Sequence, residues 1–212
     1  MKLKWLLADE AYGVSGQFRK HVDDLGITYV VEIKCTTKGW ARTPALKDIT
    51  RTGKKGRPAK HKMPVKESRV VSDLWLKNPP KWVPYKIKET QKGPIIWEVR
   101  ESKFFPYEKG FPGAQQRLLI CRNPLTGEIK YFLSNADREI STAQLLKVAF
   151  SRWRIERLFQ DAKDEVGFDH FEVRKYPSLI RHIVLTQLSI YFLSIQTERL
   201  REKKSMVDII SG

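Results

Sequence analysis

Apolar residues recur along this 212-residue chain with two rhythms, one near two residues and one near 3.6. Residues 3–8 are a short apolar run that stops at Asp9, the pattern of a strand and its end. Residues 15–25 place Phe18, Val22 and Leu25 at helical spacing, with Ser15 as the initiating cap and Gly26 as the stop. Residues 27–33 are β-branched and aromatic, a second strand. The chain thus opens on a βαβ unit, with a core strand at its first residues. Strand-like runs return at 83–88, 95–100, 117–121 and 129–133. Turn signals separate them at Lys92-Gly93-Pro94, Phe111-Pro112-Gly113 and Pro124-Leu125-Thr126-Gly127, which predicts a small antiparallel module. From Ser141 the rhythm is helical, with helices expected over about 141–166, broken near Phe150, and over 177–201.

Residues 47–66 follow neither rhythm. Eight Lys and Arg stand there against one acid, Asp48, together with two Gly and two Pro. So little apolar surface predicts a loop or linker. Lys54-Lys55-Gly56-Arg57-Pro58 resembles the core of an AT-hook, which lays arginine in a narrow minor groove. A generic phosphate-contacting loop, in which Lys60 would take part, is the other reading. The expected organisation is therefore a βαβ part over 1–46, a basic linker and start of an insertion over 47–82, a β-rich insertion over 83–136, and a helical return over 137–212.

Charge points to the partner. Forty Lys and Arg against 24 Asp and Glu leave +16, an excess that attracts polyanions, nucleic acid above all. The two cysteines, Cys35 and Cys121, lack the spacing of a zinc site or a disulfide framework, which suits a reducing cytoplasm. Asp9 interrupts the first apolar run too early for a signal peptide. The most apolar stretch, 183–195, is shorter than a bilayer span and holds Thr186, Gln187, Ser189 and Ser194. A cytoplasmic chain without a membrane partner is the expectation.

The segment richest in chemistry runs from Phe150 to Lys163. Ile155, Leu158, Phe159, Ala162 and Val166 form the apolar stripe of an amphipathic helix. Arg152, Glu156 and Lys163 share another face, about three turns long. On helix geometry alone, Arg152 and Glu156 read as a solvated i,i+4 pair worth a few tenths of a kcal/mol.

This segment also resembles the Y-x2-R-x3-E-x6-K signature of bacterial insertion-sequence transposases of the IS-four-like superfamily, DDE-class enzymes. Arg152, Glu156 and Lys163 fall on its R, E and K, whereas Ala149, beside Phe150, stands at the tyrosine position. Arg-Trp-Arg-Ile-Glu followed by Phe159, Lys163, Gly167 and Asp169-His170 is similar to the IS-seven-hundred-one-type branch. Residues 7–13 (Leu-Ala-Asp-Glu-Ala-Tyr-Gly) resemble the block around the family's second catalytic aspartate. Residues 130–136 resemble the strand end before the glutamate helix, and Arg181-His182 is also familial.

The resemblance implies a partial ribonuclease-H-like α/β fold interrupted by a β-rich insertion, with C-terminal helices. It implies metal-dependent DNA cleavage and strand transfer at two Mg²⁺ or Mn²⁺ ions held by carboxylates, hard oxygen ligands. Asp9 and Glu156 would be the catalytic and metal-binding acids, and Arg152 and Lys163 would contact phosphates beside Lys54, Lys55, Arg57 and Lys60 of the basic loop. Duplex DNA, as transposon ends and target, would be the partner, with a homodimer or full-length transposase as a further one. The setting would be the bacterial nucleoid. The chain corresponds to the C-terminal portion of the family. Its first aspartate has no counterpart here in order, and Asp137, after the strand ending at Leu133, is the internal candidate. Asp169, His170 and Glu172 read either as a metal cluster or as a loop. Of Trp75, Trp82 and Trp97, any one would suit stacking on a flipped base or plain packing. A transposase fragment inactive alone is the main reading. A non-catalytic DNA-binding or inhibitory derivative is the alternative.

Overall fold

A computed structural model of the chain describes residues 4–47, 62–74, 81–90 and 93–210. The chain divides into two compact units, Met1–Ser151 and Arg152–Gly212.

The first unit opens as the sequence predicts. Strand β1 (Trp5–Ala8) leads into a one-turn helix α1 (Glu10–Gly13), helix α2 (Gly16–Asp24) and strand β2 (Thr28–Ile33). Ser15 caps α2 by accepting from the Phe18 amide at 3.2 Å. Gly26, at φ +66°, turns the chain out of α2. β1 and β2 pair in parallel, from Trp5↔Thr28 to Ala8↔Val31.

Short strands follow: β3 (Lys38–Trp40), β4 (Leu46–Lys47), β5 (Met63–Pro64) and β6 (Arg69–Val70). β4 and β5 pair with each other, so the two ends of the basic stretch are held together. Strands β7 (Val83–Thr90), β8 (Gly93–Glu108), β9 (Phe111–Pro112), β10 (Gln116–Arg122) and β11 (Ile129–Ser134) then precede helix α3 (Thr142–Ala149). Among the described residues, one nine-stranded sheet runs β1-β2-β11-β10-β8-β3-β6, with β7 and β9 also paired to β8.

The strands of 83–136 therefore do not make a sheet of their own. β11 joins β2 antiparallel, Leu133 opposite Val31. The reason lies in β2, where Tyr29, Val30, Val31 and Ile33 are all buried, so both faces and both edges of this strand need cover. β8 also extends well past the expected 95–100, and just beyond that range Glu101 is matched across the sheet by Arg117 (2.6 Å).

Two apolar clusters sandwich the sheet. On one face Val30, Trp97, Val99, Leu119 and Phe132 meet Leu145, Leu146 and Ala149 of α3. On the other, Tyr29, Val31, Ile33, Leu118 and Leu133 meet Val22 of α2 and Val71.

The second unit is α4 (Trp153–Val166) and α5 (Tyr176–Ile210). α3 and α4 are separate helices, as the expected break near Phe150 requires. Gly167, left-handed at φ +63°, ends α4, and its carbonyl lies 3.0 Å from the His182 ring. The apolar stripe of α4 is covered less than its spacing predicts. Ala162 is buried, but Ile155, Leu158 and Phe159 are half exposed. By length and composition, Tyr176–Arg201 is long and apolar enough to cross a membrane. The apolar run 183–195 underestimates it because the helix continues through flanking polar positions.

Candidate functional site

Asp9 stands where β1 stops. It caps α1, its Oδ1 accepting from the Ala11 amide at 3.0 Å and the Tyr12 amide at 3.4 Å. Its carbonyl accepts from the Gly13 amide at 2.8 Å. The second carboxylate oxygen accepts no hydrogen bond among the described residues, and the side chain is half buried. A carboxylate past the C-terminal end of a parallel strand is where open α/β sheets place ligands. The turn fits only because residue 13 is glycine, since a Cβ there would lie 1.9 Å from the Glu32 carbonyl oxygen.

Asp137 does not share this location. Ala8 pairs with Val31, so Asp9 occupies the next row of the sheet, that of Glu32 and Phe132. β11 runs antiparallel, and its last residue, Ser134, is level with Val30, two rows or ~7 Å away. The chain continues in that direction, because the Asn135 side chain bonds the Tyr29 amide and the Ile27 carbonyl. Asp137 therefore follows the opposite end of the sheet and is not the acid that completes a site with Asp9. Antiparallel pairing, invisible in the order of residues, decides this.

In the second unit, Glu156 lies in the first turn of α4 and Arg152 at its N-cap. The Arg152 Nη2 is 2.9 Å from the Glu156 carboxylate, the i,i+4 pair that helix spacing predicts. Both side chains are well exposed, so the pair itself adds little stability. Lys163 lies in the last turn, its Nζ 3.9 Å from Asp169. The structure thus joins Arg152 to Glu156 and Lys163 to Asp169. Asp169, His170 and Glu172 belong to the link between α4 and α5. Among the described residues no group of three or more His, Cys, Asp or Glu is placed to hold a metal ion. Lys54, Lys55, Arg57, Lys60 and Trp75 lie outside the described residues.

The remaining tryptophans separate cleanly. Trp97 is core, its ring 4.8 Å from that of Phe150. Trp82 is half buried, with the guanidiniums of Arg100 and Arg122 at 3.9 and 4.5 Å from its ring centre. Burial and the like charge of Arg122 both lower the pKa of Arg100.

Sequence reasoning missed Arg19 and Glu108. Arg19 is buried in α2, donates to the Gly13 carbonyl and pairs with Glu108 at 3.2 Å. The signal was present, because Arg19 stands three residues before Val22, on the inward face of a helix.

The family model described as the transposase DDE domain matches residues 1–193. The chain belongs to the DDE transposase family. No curated protein matches it. The mixed α/β structure fits a DDE transposase domain. Membership implies a transposase acting on DNA, and members usually use divalent metal ions. The donor chemistry of Asp9 fits such a hard cation, with one carboxylate oxygen left without a hydrogen bond among the described residues.

Proposed function

We propose that residues 1–212 form the part of an insertion-sequence transposase, of the IS-four-like superfamily, that carries two acids of its metal-binding set, Asp9 and Glu156. The observation that carries the reading is the place of Asp9, a half-buried carboxylate at a strand end with one oxygen uncommitted among the described residues. A second ground supports it: Glu156 stands at the glutamate of the Y-x2-R-x3-E-x6-K pattern, between Arg152 and Lys163.

Divalent ions in such a set supply charge neutralisation at the attacking and leaving oxygens of a phosphodiester. Asp9 would hold its share through the free oxygen while the amides of α1 fix the other. Arg152, beside Glu156, and Lys163 would contact phosphates, as would Lys54, Lys55, Arg57 and Lys60. β1 has no strand partner on its outer edge among the described residues, and its four residues are only half buried. A further strand adding there would cover that edge and bring another carboxylate to the level of Asp9. With no three-acid group among the described residues, we read this chain as inactive without such a segment. The same observation favours the second reading, a non-catalytic DNA-binding or inhibitory transposase derivative. The cytoplasm and its nucleoid are the proposed setting.

Iron-directed backbone cleavage tests the pair of acids. Fe²⁺ with ascorbate should cut the full chain near residue 9 and near residue 156, both cuts competed by Mn²⁺ and both lost in Asp9→Ala. Cuts near a single acid, or cuts indifferent to the substitution, would refute a shared site.

A further inference from the structure

We propose that Arg19 is a positioning residue for Asp9, acting through the Gly13 carbonyl and itself held by Glu108. The inference rests on the reading of Asp9 as a metal ligand. The direction of the Asp9 carboxylate is set by the single turn from Asp9 to Gly13, whose ends are joined by the Gly13 amide and the Asp9 carbonyl. Fixing Gly13 therefore fixes Asp9. β2 bounds Gly13 on one side, where only hydrogen fits against the Glu32 carbonyl. Arg19 holds it on the other, its Nη1 donating to the Gly13 carbonyl oxygen.

Arg19 is 2% exposed, and its Nη2 is 3.2 Å from the Glu108 carboxylate at the end of β8. That carboxylate is partly covered in turn, its side chain 36% exposed. A Cβ at Gly16 or Gly113 would come within 2.9 Å of its atoms, so glycine at both positions lets the loops close around it. Packing of α2 does not require a charge at position 19, because Val22 already buries the helix against the sheet. A buried cation is costly to desolvate and carries a strong geometric demand on its partners. Here one partner is the carbonyl that closes the Asp9 turn. The chain of contacts runs from the tip of β8 through Glu108, Arg19 and Gly13 to Asp9, all within the first unit.

The test uses the full chain labelled with ¹⁵N. Mn²⁺ titration is read as broadening of the Ala11 and Tyr12 amides, and hydrogen exchange at the Gly13 amide. Arg19→Met should weaken the Mn²⁺ midpoint by about tenfold or more, as loss of an outer-shell contact does, and should speed Gly13 exchange. Arg19→Lys, which keeps the charge and one donor, should recover part of both. Val22→Ala loosens α2 without touching Gly13 and should leave the Mn²⁺ midpoint within about twofold. An unchanged midpoint in Arg19→Met, or an equal shift in Val22→Ala, would overturn the positioning role while leaving Asp9 a ligand. Absence of saturable broadening in the wild type would refute Asp9 as a ligand, and the positioning role with it. Should Arg19→Met not fold, Glu108→Gln keeps the shape, removes the charge that holds the guanidinium, and is read the same way.

Discussion

At Gly13 a single hydrogen atom determines whether the Asp9 turn can lie on β2. An added Cβ would meet the Glu32 carbonyl oxygen at 1.9 Å, and that oxygen belongs to the backbone of a central strand. Gly13→Ala should therefore cost ~2–4 kcal/mol, the range of strong overpacking, measured by urea unfolding. Gly26→Ala is the control, because its φ of +66° strains alanine but nothing lies within 4 Å. It should cost about 1 kcal/mol. Equal costs would mean that α1 does not pack against β2 as described. The two cysteines offer a second test at this scale. Burial pushes the Cys121 thiol well above its ordinary pKa, whereas Cys35 is exposed. A thiol reagent should modify one equivalent in the native chain and the second only on unfolding. The sign of the pH effect follows from the same shift. The unfolded thiol ionises near its ordinary value of 9.0 and the folded one only higher. The stability it contributes is complete below pH 9.0 and is lost as pH rises beyond it. The urea midpoint should fall above pH 9.0, and less so in Cys121→Ala; no difference between the two would show that Cys121 is not the titrating group.

Elements in this chain are set by caps and periodicity where neighbours in sequence decide, and by pairing where they do not. Ser141 accepts from the Gln144 amide at 3.2 Å and begins α3, whose Leu145 and Leu146 close one face of the sheet. Ser141→Ala should cost ~1 kcal/mol in thermal or urea unfolding, and Ser141→Asp should recover most of it; a loss below a few tenths of a kcal/mol would mean the cap is idle. Such local signals explain what was legible. Ser15, Gly26 and the Phe18–Val22–Leu25 spacing announce α2, and alternating runs announce β7, β10 and β11. The join of β11 to β2 was not legible, because it links residues about a hundred positions apart. The length of β8 was hidden for a related reason. Glu101 looks like a strand end until Arg117 is seen across the sheet from it. The candidate site divides the same way. Asp9 could be read from the end of its apolar run, and the Arg152–Glu156 pair from a spacing of four. Arg19 stayed hidden because its partners, Gly13 and Glu108, come together only in the folded unit. Asp137 was an open candidate until strand direction placed it at the far end of the sheet.

On the scale of the whole molecule, charge and incomplete burial point the same way. A net +16 favours polyanions, and residues 47–66 alone contribute +7, eight basic residues against one acid. Large apolar side chains of α5, among them Leu185, Leu188, Tyr191 and Phe192, are exposed, and β1 has a free outer edge among the described residues. On the proposed reading, such a chain holds DNA by its charge and needs a further acid to cut it. Binding needs only cations near phosphates, whereas two bridged metal ions need several carboxylates in fixed places. Residues 1–212 with Mn²⁺ and a transposon-end duplex should therefore bind, with affinity falling about tenfold or more between 50 and 200 mM salt, and should not nick the 3′ end. Charge reversal at Arg57 and Lys60 should weaken binding at low salt without lowering the unfolding midpoint. Adding a segment that supplies a strand with an aspartate should restore nicking, because that strand would cover the β1 edge and place its carboxylate beside Asp9. Metal-dependent nicking by residues 1–212 alone, abolished by Glu156→Ala, would show instead that the set is complete within the chain. A further acid of this chain would then complete the set with Asp9 and Glu156.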